Sequence, residues 1–460
     1  MAFQKEFLWG SATSSYQIEG AAYEDGRGMT VWEDFCSRPG KIMEGHDGDV
    51  ACDHYHRYRE DIALMAEMGI KAYRFSIAWS RILPQGTGKI NEKGIAFYSN
   101  LVDELLSYDI VPLVTLFHWD LPYTLYQKGG WQNPESAGWF AEYASAVAKS
   151  LGDRVKHFIT FNEPQCFIGL GHVTCEHAPG NKMSKRAVLE MAHNVLLAHG
   201  TAVQAIRSIV PDAKIGYAPT STVPVPVSES KEDIEAARNA YFGFGADADN
   251  YVWSTSWWSD PVILGHYPEE GLRLFEESLP HIGQDDMKTI CQPLDFYGQN
   301  IYHGYPVGSD GKGGCIREKR KAGYPRTAIG WAVVPESLYW GPKFLYERYH
   351  LPIIITENGL SCHDWVSADQ KVHDPARIDF MYRYLWELNR ASREGVEVAG
   401  YCAWSFMDNF EWAKGYTERF GTVYVDYQTQ KRIPKDSAYW YRDLIRSGGA
   451  LLDGQKPEGF

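Results

Sequence analysis

The chain has 460 residues, 44% of them hydrophobic, and a formal charge of −14 at pH 7. That is ample apolar material for a large core, while the acidic balance argues against nucleic acid or an anionic membrane as a partner. No apolar run approaches the roughly 20 residues that a membrane-spanning helix needs.

In chain order, FLWGSA (7–12) reads as a strand. DHYHRYREDIALMAEMG follows with helical spacing at Tyr55, Tyr58, Ile62 and Met65, Asp53 as its N-cap and Gly69 as its stop. KAYRFSI (71–77) and VPLVTLF (111–117) are the next strands. A helix over NPESAGWFAEYASAVAKSLG then begins with Pro134 at its first position and ends at Gly152. HFITFN (157–162) and KIGYAP (214–219) read as strands, and the Pro/Ser-rich APTSTVPVPVSES (218–230) as a long loop. LDFYGQN (294–300), PIIITE (352–357) and VAGYCAWSF (398–406) complete the strands, the last two separated by a helix entered at Asp374–Pro375 and closed by Gly395. These runs are short, β-branched and aromatic, without clean alternation, as parallel strands covered on both faces require. Alternating with helices, they predict one α/β domain over 1–460, a (β/α)8 TIM barrel whose long βα loops form the active-site cleft.

Function in such a barrel sits at the C-terminal ends of the strands. Two of the runs, ITFNEP (159–164) and IITENG (354–359), end on a glutamate flanked by asparagine. Glu163 and Glu357 should therefore face one cleft. A carboxylate pair across a cleft is the equipment for breaking a glycosidic bond: one protonates the leaving oxygen and the other, ionised, attacks the anomeric carbon. Like charges close together raise one pKa, so the pair creates its own asymmetry. A separation of about 5–5.5 Å implies retention of configuration, and about 6.5–9.5 Å inversion. The 16 Trp and 29 Tyr mostly pack cores, and sugar clefts also use such rings as platforms.

FLWGSATSSYQIEGA (7–21), FHWDLP (117–122), TFNEP (160–164), NIYHG (300–304), ITENG (355–359) and AWSFMDNFEW (403–412) together resemble the family 1 glycoside hydrolases, the β-glucosidase family, over essentially the whole chain. The resemblance implies a retaining β-glucosidase acting on non-reducing ends of small β-glycosides and cello-oligosaccharides, with Glu357 as nucleophile and Glu163 as acid/base. It implies that Asn162 bonds the sugar 2-OH, that Arg74 and Tyr302 keep Glu357 ionised, and that Asn300 orients the pair. Gln17, His118 and Glu411 would grip the hydroxyls at O3, O4 and O6, with Glu411 suited to O4 and O6 at the C6 end. Trp404 would stack under the ring, and Trp412 would donate to O3. Trp119 and Trp331 would line the cleft. Glu418 and Phe420 fill positions where relatives that accept 6-phosphorylated sugars carry lysine and tyrosine.

A preference for β-galactosides or β-fucosides, or for transglycosylation, stays open. A non-catalytic sugar-binding protein is disfavoured because both carboxylates are present. QCFIGLGHVTCEH (165–177), after the fourth strand, reads as a loop that shapes the leaving-group side. No cofactor or metal is expected: Cys52, His54 and His56, like His172, Cys175 and His177, lack the spacing of a zinc motif. The opening MAFQKEFLWG has no leader-like pattern, the eight cysteines form no disulfide framework, and no N-x-S/T sequon occurs, all of which predict a cytoplasmic protein. A homo-oligomer is left open.

Overall fold

The computed structural model describes residues 3, 4, 6–244 and 248–454. Eight strands close into a parallel barrel: β1 (Leu8–Ala12), β2 (Ala72–Ser76), β3 (Val111–Phe117), β4 (His157–Asn162), β5 (Lys214–Ala218), β6 (Phe296–Asn300), β7 (Ile353–Asn358) and β8 (Val398–Trp404). Each strand pairs with its sequence neighbours, and β1 with β8 closes the ring. All eight strands predicted from the sequence are present. Helices such as His54–Glu67, Ser136–Leu151, Lys185–Ile209 and Pro375–Arg393 lie between successive strands.

The largest apolar cluster fills the belt between strands and helices, where Phe140 and Phe161 approach to 4.5 Å between ring centroids. Two smaller clusters draw on barrel strands: Ala12, Ala72, Leu113 and Cys402 from β1, β2, β3 and β8, and Ile159, Ala218, Phe296 and Ile354 from β4 to β7. They fill the barrel interior in layers. Toward the C-terminal ends of the strands the interior turns polar, with Arg74, Thr115, Asn162, Asn300 and Glu357 all buried.

Four local expectations need correction. The second helix starts at Ser136, not Pro134, because an Asx turn occupies 133–135: Asn133 Oδ1 accepts the Glu135 amide at 2.9 Å. Asp53 does precede its helix, but in a left-handed conformation (φ 52°), and its carboxylate binds His56 and Arg57 instead of capping. Within 218–230, Val223–Pro226 forms a strand alongside Gly304–Ser309. It takes Pro224 and Pro226 because it is an edge, where a missing N–H costs no ladder bond. Finally, 164–172 is helical rather than a loop.

The ladder slips register between Ile159 and Asn162 where β4 meets β5, and between Ile355 and Glu357 where β7 meets β6. Such irregularities re-aim the next side chain. Both occur where a strand delivers a glutamate.

Candidate active site

Glu357 ends β7 with its side chain almost wholly buried. Arg74, from the middle of β2, donates to Glu357 Oε1 at 2.6 Å, to the Thr356 carbonyl at 3.1 Å and to Asn162 Oδ1 at 2.6 Å. Thr115 on β3 accepts the Arg74 Nε–H at 3.1 Å and fixes the guanidinium plane. The Tyr302 hydroxyl donates to Glu357 Oε2 at 2.6 Å. Burial holds the Glu357 pKa above the ordinary carboxyl value, and Arg74, followed by the Tyr302 hydrogen bond, opposes that rise. Tyr302 itself stays a phenol, since burial and the Glu357 charge both raise its pKa.

Glu163 stands one residue beyond β4, at φ 43°, followed by Pro164 at the first position of the helix Pro164–His172. Asn300 Nδ2 donates to Glu163 Oε1 at 2.7 Å and to Asn162 Oδ1 at 3.0 Å, while Thr356 Oγ1 donates to Asn300 Oδ1 at 2.6 Å and locks the amide. The Cys166 thiol donates to Glu163 Oε2 at 3.0 Å. Among the described residues no cation bonds Glu163; Arg74 acts on it at longer range. Burial and then the Glu357 charge push its pKa up to about 7.

Asn162 joins the two halves. Its Oδ1 receives Arg74 and Asn300, so its Nδ2 must be the group facing His118 Nε2 at 3.0 Å. That contact puts the His118 proton on Nδ1, which has no partner although the residue is buried. Burial, and then Arg74, hold the His118 pKa well below the usual range, so the ring is neutral and offers one N–H donor. Gln17 Nε2 donates to Asn409 Oδ1 at 3.1 Å, the Phe410 carbonyl at 2.8 Å and Glu411 Oε2 at 3.4 Å. Burial, then the charges of Glu357 and Glu418, push Glu411 up to about 8.

The rings surround these groups. Trp404 stacks on His118 at 5.8 Å, and Trp412 packs against His118 and Trp119 at 6.0 and 4.5 Å. Trp119 also donates its indole N–H to the Asn162 carbonyl at 3.0 Å. Trp331 and Phe420 pack on Tyr302. A cavity of about 1090 Å³ opens over Glu163, Tyr302, Glu411, Trp119, Trp331 and Trp412. Trp119, Glu163 and Trp412 all have positive φ (77°, 43° and 50°), each costing about 1–2 kcal/mol for a side chain with a Cβ. Other residues, Asp53 and His350 among them, also take positive φ, but strain on three residues of one cleft fits a functional site.

Every site residue expected from the sequence belongs to this one assembly. Thr115, Thr356 and Asn409, which orient Arg74, Asn300 and Gln17, were missed, because a lone hydroxyl or amide carries no sequence signal. The two Asn flanks also differ in role. Asn358 Nδ2 binds the Ile301 carbonyl at 2.8 Å and Oδ1 accepts from Tyr401 at 2.9 Å, so it braces the strand end. Gly359 is fixed by space: a Cβ there would lie 1.8 Å from the Trp404 carbonyl oxygen. Among the described residues, no three His, Cys, Asp or Glu side chains gather as a metal site.

An eight-stranded parallel barrel with two buried carboxylates of unequal pKa control, set among hydrogen-bonding groups and indole rings, defines a glycoside hydrolase. The model of glycosyl hydrolase family 1 matches residues 1–450, and the chain belongs to that family. A 1,4-β-D-glucan glucohydrolase of Thermotoga neapolitana is 46% identical over 97% of this chain and 99% of its own. An aryl-phospho-β-D-glucosidase of Bacillus subtilis is 39% identical over 98% of each chain. The solved β-glucosidase of Thermotoga maritima in complex with glucoimidazole superposes with a TM-score of 0.88, at 46% identity over 97% of this chain and 99% of that one. No helix among the described residues is long and apolar enough to cross a membrane.

Proposed function

We propose that the protein is a retaining β-glucosidase that removes terminal β-D-glucosyl residues from the non-reducing ends of small β-glucosides and cello-oligosaccharides. The observation that carries this reading is the unequal wiring of the two glutamates. Glu357, paired with Arg74 and Tyr302, is the one to lose its proton first; Glu163, with only neutral donors in contact, is the one to keep it.

A Glu357 oxygen attacks the anomeric carbon as the bond to the leaving oxygen breaks, and the Glu163 proton passes to that oxygen. The product is a glucosyl ester of Glu357 and a neutral leaving group. Glu163, now a carboxylate, takes a proton from a water that attacks the same carbon and releases Glu357. Asn162 binds the 2-OH, where hydrogen bonding strengthens as the ring acquires oxocarbenium character. The free His118 Nδ1–H, Gln17, Glu411 and the Trp412 indole hold the other hydroxyls, Trp404 stacks under the ring, and Trp119 and Trp331 line the way to the leaving group. Residues 1–460 act as one catalytic domain. Eight free cysteines fit a reducing cytoplasm.

The test is the anomer first released from a nitrophenyl β-glucoside, followed by NMR before mutarotation. β-Glucose is expected. First-formed α-glucose would overturn the retaining mechanism, and no turnover of any β-glucoside would overturn the substrate class.

A further inference from the structure

Behind the cleft wall lies a cluster of charges that the chemistry does not use. Lys435, wholly buried, donates from Nζ to Asp364 Oδ2 at 2.6 Å and to Asp408 Oδ1 at 2.7 Å. Asp408 is also wholly buried, and its Oδ2 receives Arg419 at 2.6 Å and its Oδ1 the Gly421 amide at 3.0 Å. Arg377 binds Asp364 at 2.8 Å, Asp374 alongside, and the Arg419 carbonyl at 2.8 Å. Three cations thus face three carboxylates in a region nearly free of water. Burial alone would raise the Asp364 pKa, yet Arg377 and Lys435 hold it below the ordinary range.

The segments tied together are the ones that carry the sugar-facing side chains. Asp408 begins the stretch Asp408–Trp412, and its neighbour Asn409 bonds Gln17. Asp364 lies in the loop after β7, where Cys362 bonds the Arg419 carbonyl at 3.0 Å and Ser361 receives the amides of Ala328 and Ile329 at 3.1 and 2.8 Å, two residues before Trp331. Lys435 arrives from a third direction, just before the helix Asp436–Arg446. Among the described residues its ammonium is the group that bonds Asp364 and Asp408 directly, beside the longer tie through Arg377, Cys362 and Arg419, so it helps set how far apart the two loops stand.

We infer that Lys435 is a positioning residue for substrate selection, holding Glu411 at the C6 end of the sugar by bridging Asp364 and Asp408. The inference rests on the reading above that Glu411 faces that end. Loss of the ammonium removes the direct bridge and leaves Asp364 paired only with Arg377 and Asp408 only with Arg419. The loosened tie moves the Glu411 loop while leaving Glu163 and Glu357 on their strands.

The experiment compares kcat/KM on nitrophenyl β-glucoside and on nitrophenyl β-xyloside, which lacks the C6 hydroxymethyl group. In Lys435→Met, preference for the glucoside should fall by about tenfold, the scale of a misplaced contact, with the xyloside little changed. Lys435→Arg should restore the preference. Asp364→Asn, which removes one charge at constant shape, should lower it in the same direction by about threefold, and serves if Lys435→Met does not fold. Glu411→Gln is the control. If Glu411→Gln shifts the preference and neither network variant does, this inference falls alone. If Glu411→Gln leaves the preference intact, the placement of Glu411 falls and takes the inference with it. Equal losses on both substrates would make Lys435 a purely structural residue and also overturn it.

Discussion

Glu163 and Glu357 are the same residue type, at the ends of strands in one barrel, and both are buried. They differ in their neighbours. Glu357 touches a guanidinium and a phenol; Glu163 touches an amide and a thiol. Burial raises both carboxyls, and only at Glu357 does a directly bonded cation oppose it. Under the proposed roles, the partners of each glutamate rather than the glutamates themselves divide the chemistry. Anything that changes those partners should blur the distinction.

The largest effect comes from deleting one member. Glu357→Ala should lower kcat about 10⁴-fold or more on every substrate, since the covalent route disappears. Glu163→Ala should be as harmful on alkyl glucosides and far milder on dinitrophenyl glucoside, whose leaving group needs no proton. Added azide should revive that substrate alone, giving β-glucosyl azide; an α-azide would reverse the two roles.

Next in size is charge at the far end of the sugar. Glu411 has Glu418 close enough to raise its pKa, and one oxygen of Glu418 is shut from solvent without a partner. The nearby cation, Arg419, is committed to Asp408 and lies 3.9 Å over the Tyr424 ring. A 6-phosphate would bring about two negative charges to a place where burial and the Glu357 and Glu418 charges already push the Glu411 pKa up. We expect kcat/KM on a β-glucoside 6-phosphate to be about 10³-fold or more below that on the free glucoside, a cost of several kcal/mol in a desolvated cleft. Comparable values would place this chain's specificity with the Bacillus subtilis relative.

The pH dependence sharpens the comparison further. Glycosylation needs Glu357 ionised and Glu163 protonated, so kcat/KM should be bell-shaped, with its alkaline limb near the value of about 7 at which Glu163 gives up its proton. In Glu357→Gln the repelling charge is gone, and carbon-13 NMR should find Glu163 titrating lower. An unchanged titration would mean burial alone sets it.

A smaller effect appears in stability. Glu163 and Glu411 hold their protons to about pH 7 and 8 in the folded chain, and to the ordinary carboxyl range when unfolded. The folded state therefore binds more protons between those limits, and stability is lost as pH rises through the folded values. Glu163→Gln should raise Tm by about 2–4 °C at pH 8 and by less at pH 5. Calorimetry at the two pH values decides it.

The barrel was legible because parallel strands covered on both faces leave dense apolar runs, and VPLVTLF and HFITFN matched their strands end to end. Pairing between distant segments was not: the strand Val223–Pro226 exists through partners at 304–307, and its prolines signal a loop. In the site, the glutamates were visible as strand-ending acids. Asn162 and Asn358 looked equivalent in sequence, yet one joins Arg74, Asn300 and His118 while the other bonds only the backbone and Tyr401 of neighbouring strands. Which asparagine faces the cleft depends on the register slips before them, and no local pattern records those.

The most direct test of the division of labour is covalent. A 2-deoxy-2-fluoro β-glucoside with a dinitrophenyl leaving group should inactivate the enzyme by trapping the glycosyl intermediate. Peptide mapping should then find the sugar esterified to Glu357, within the stretch IITENG. A label on Glu163, or on any other residue, would contradict the claim that Arg74 and Tyr302 select the nucleophile.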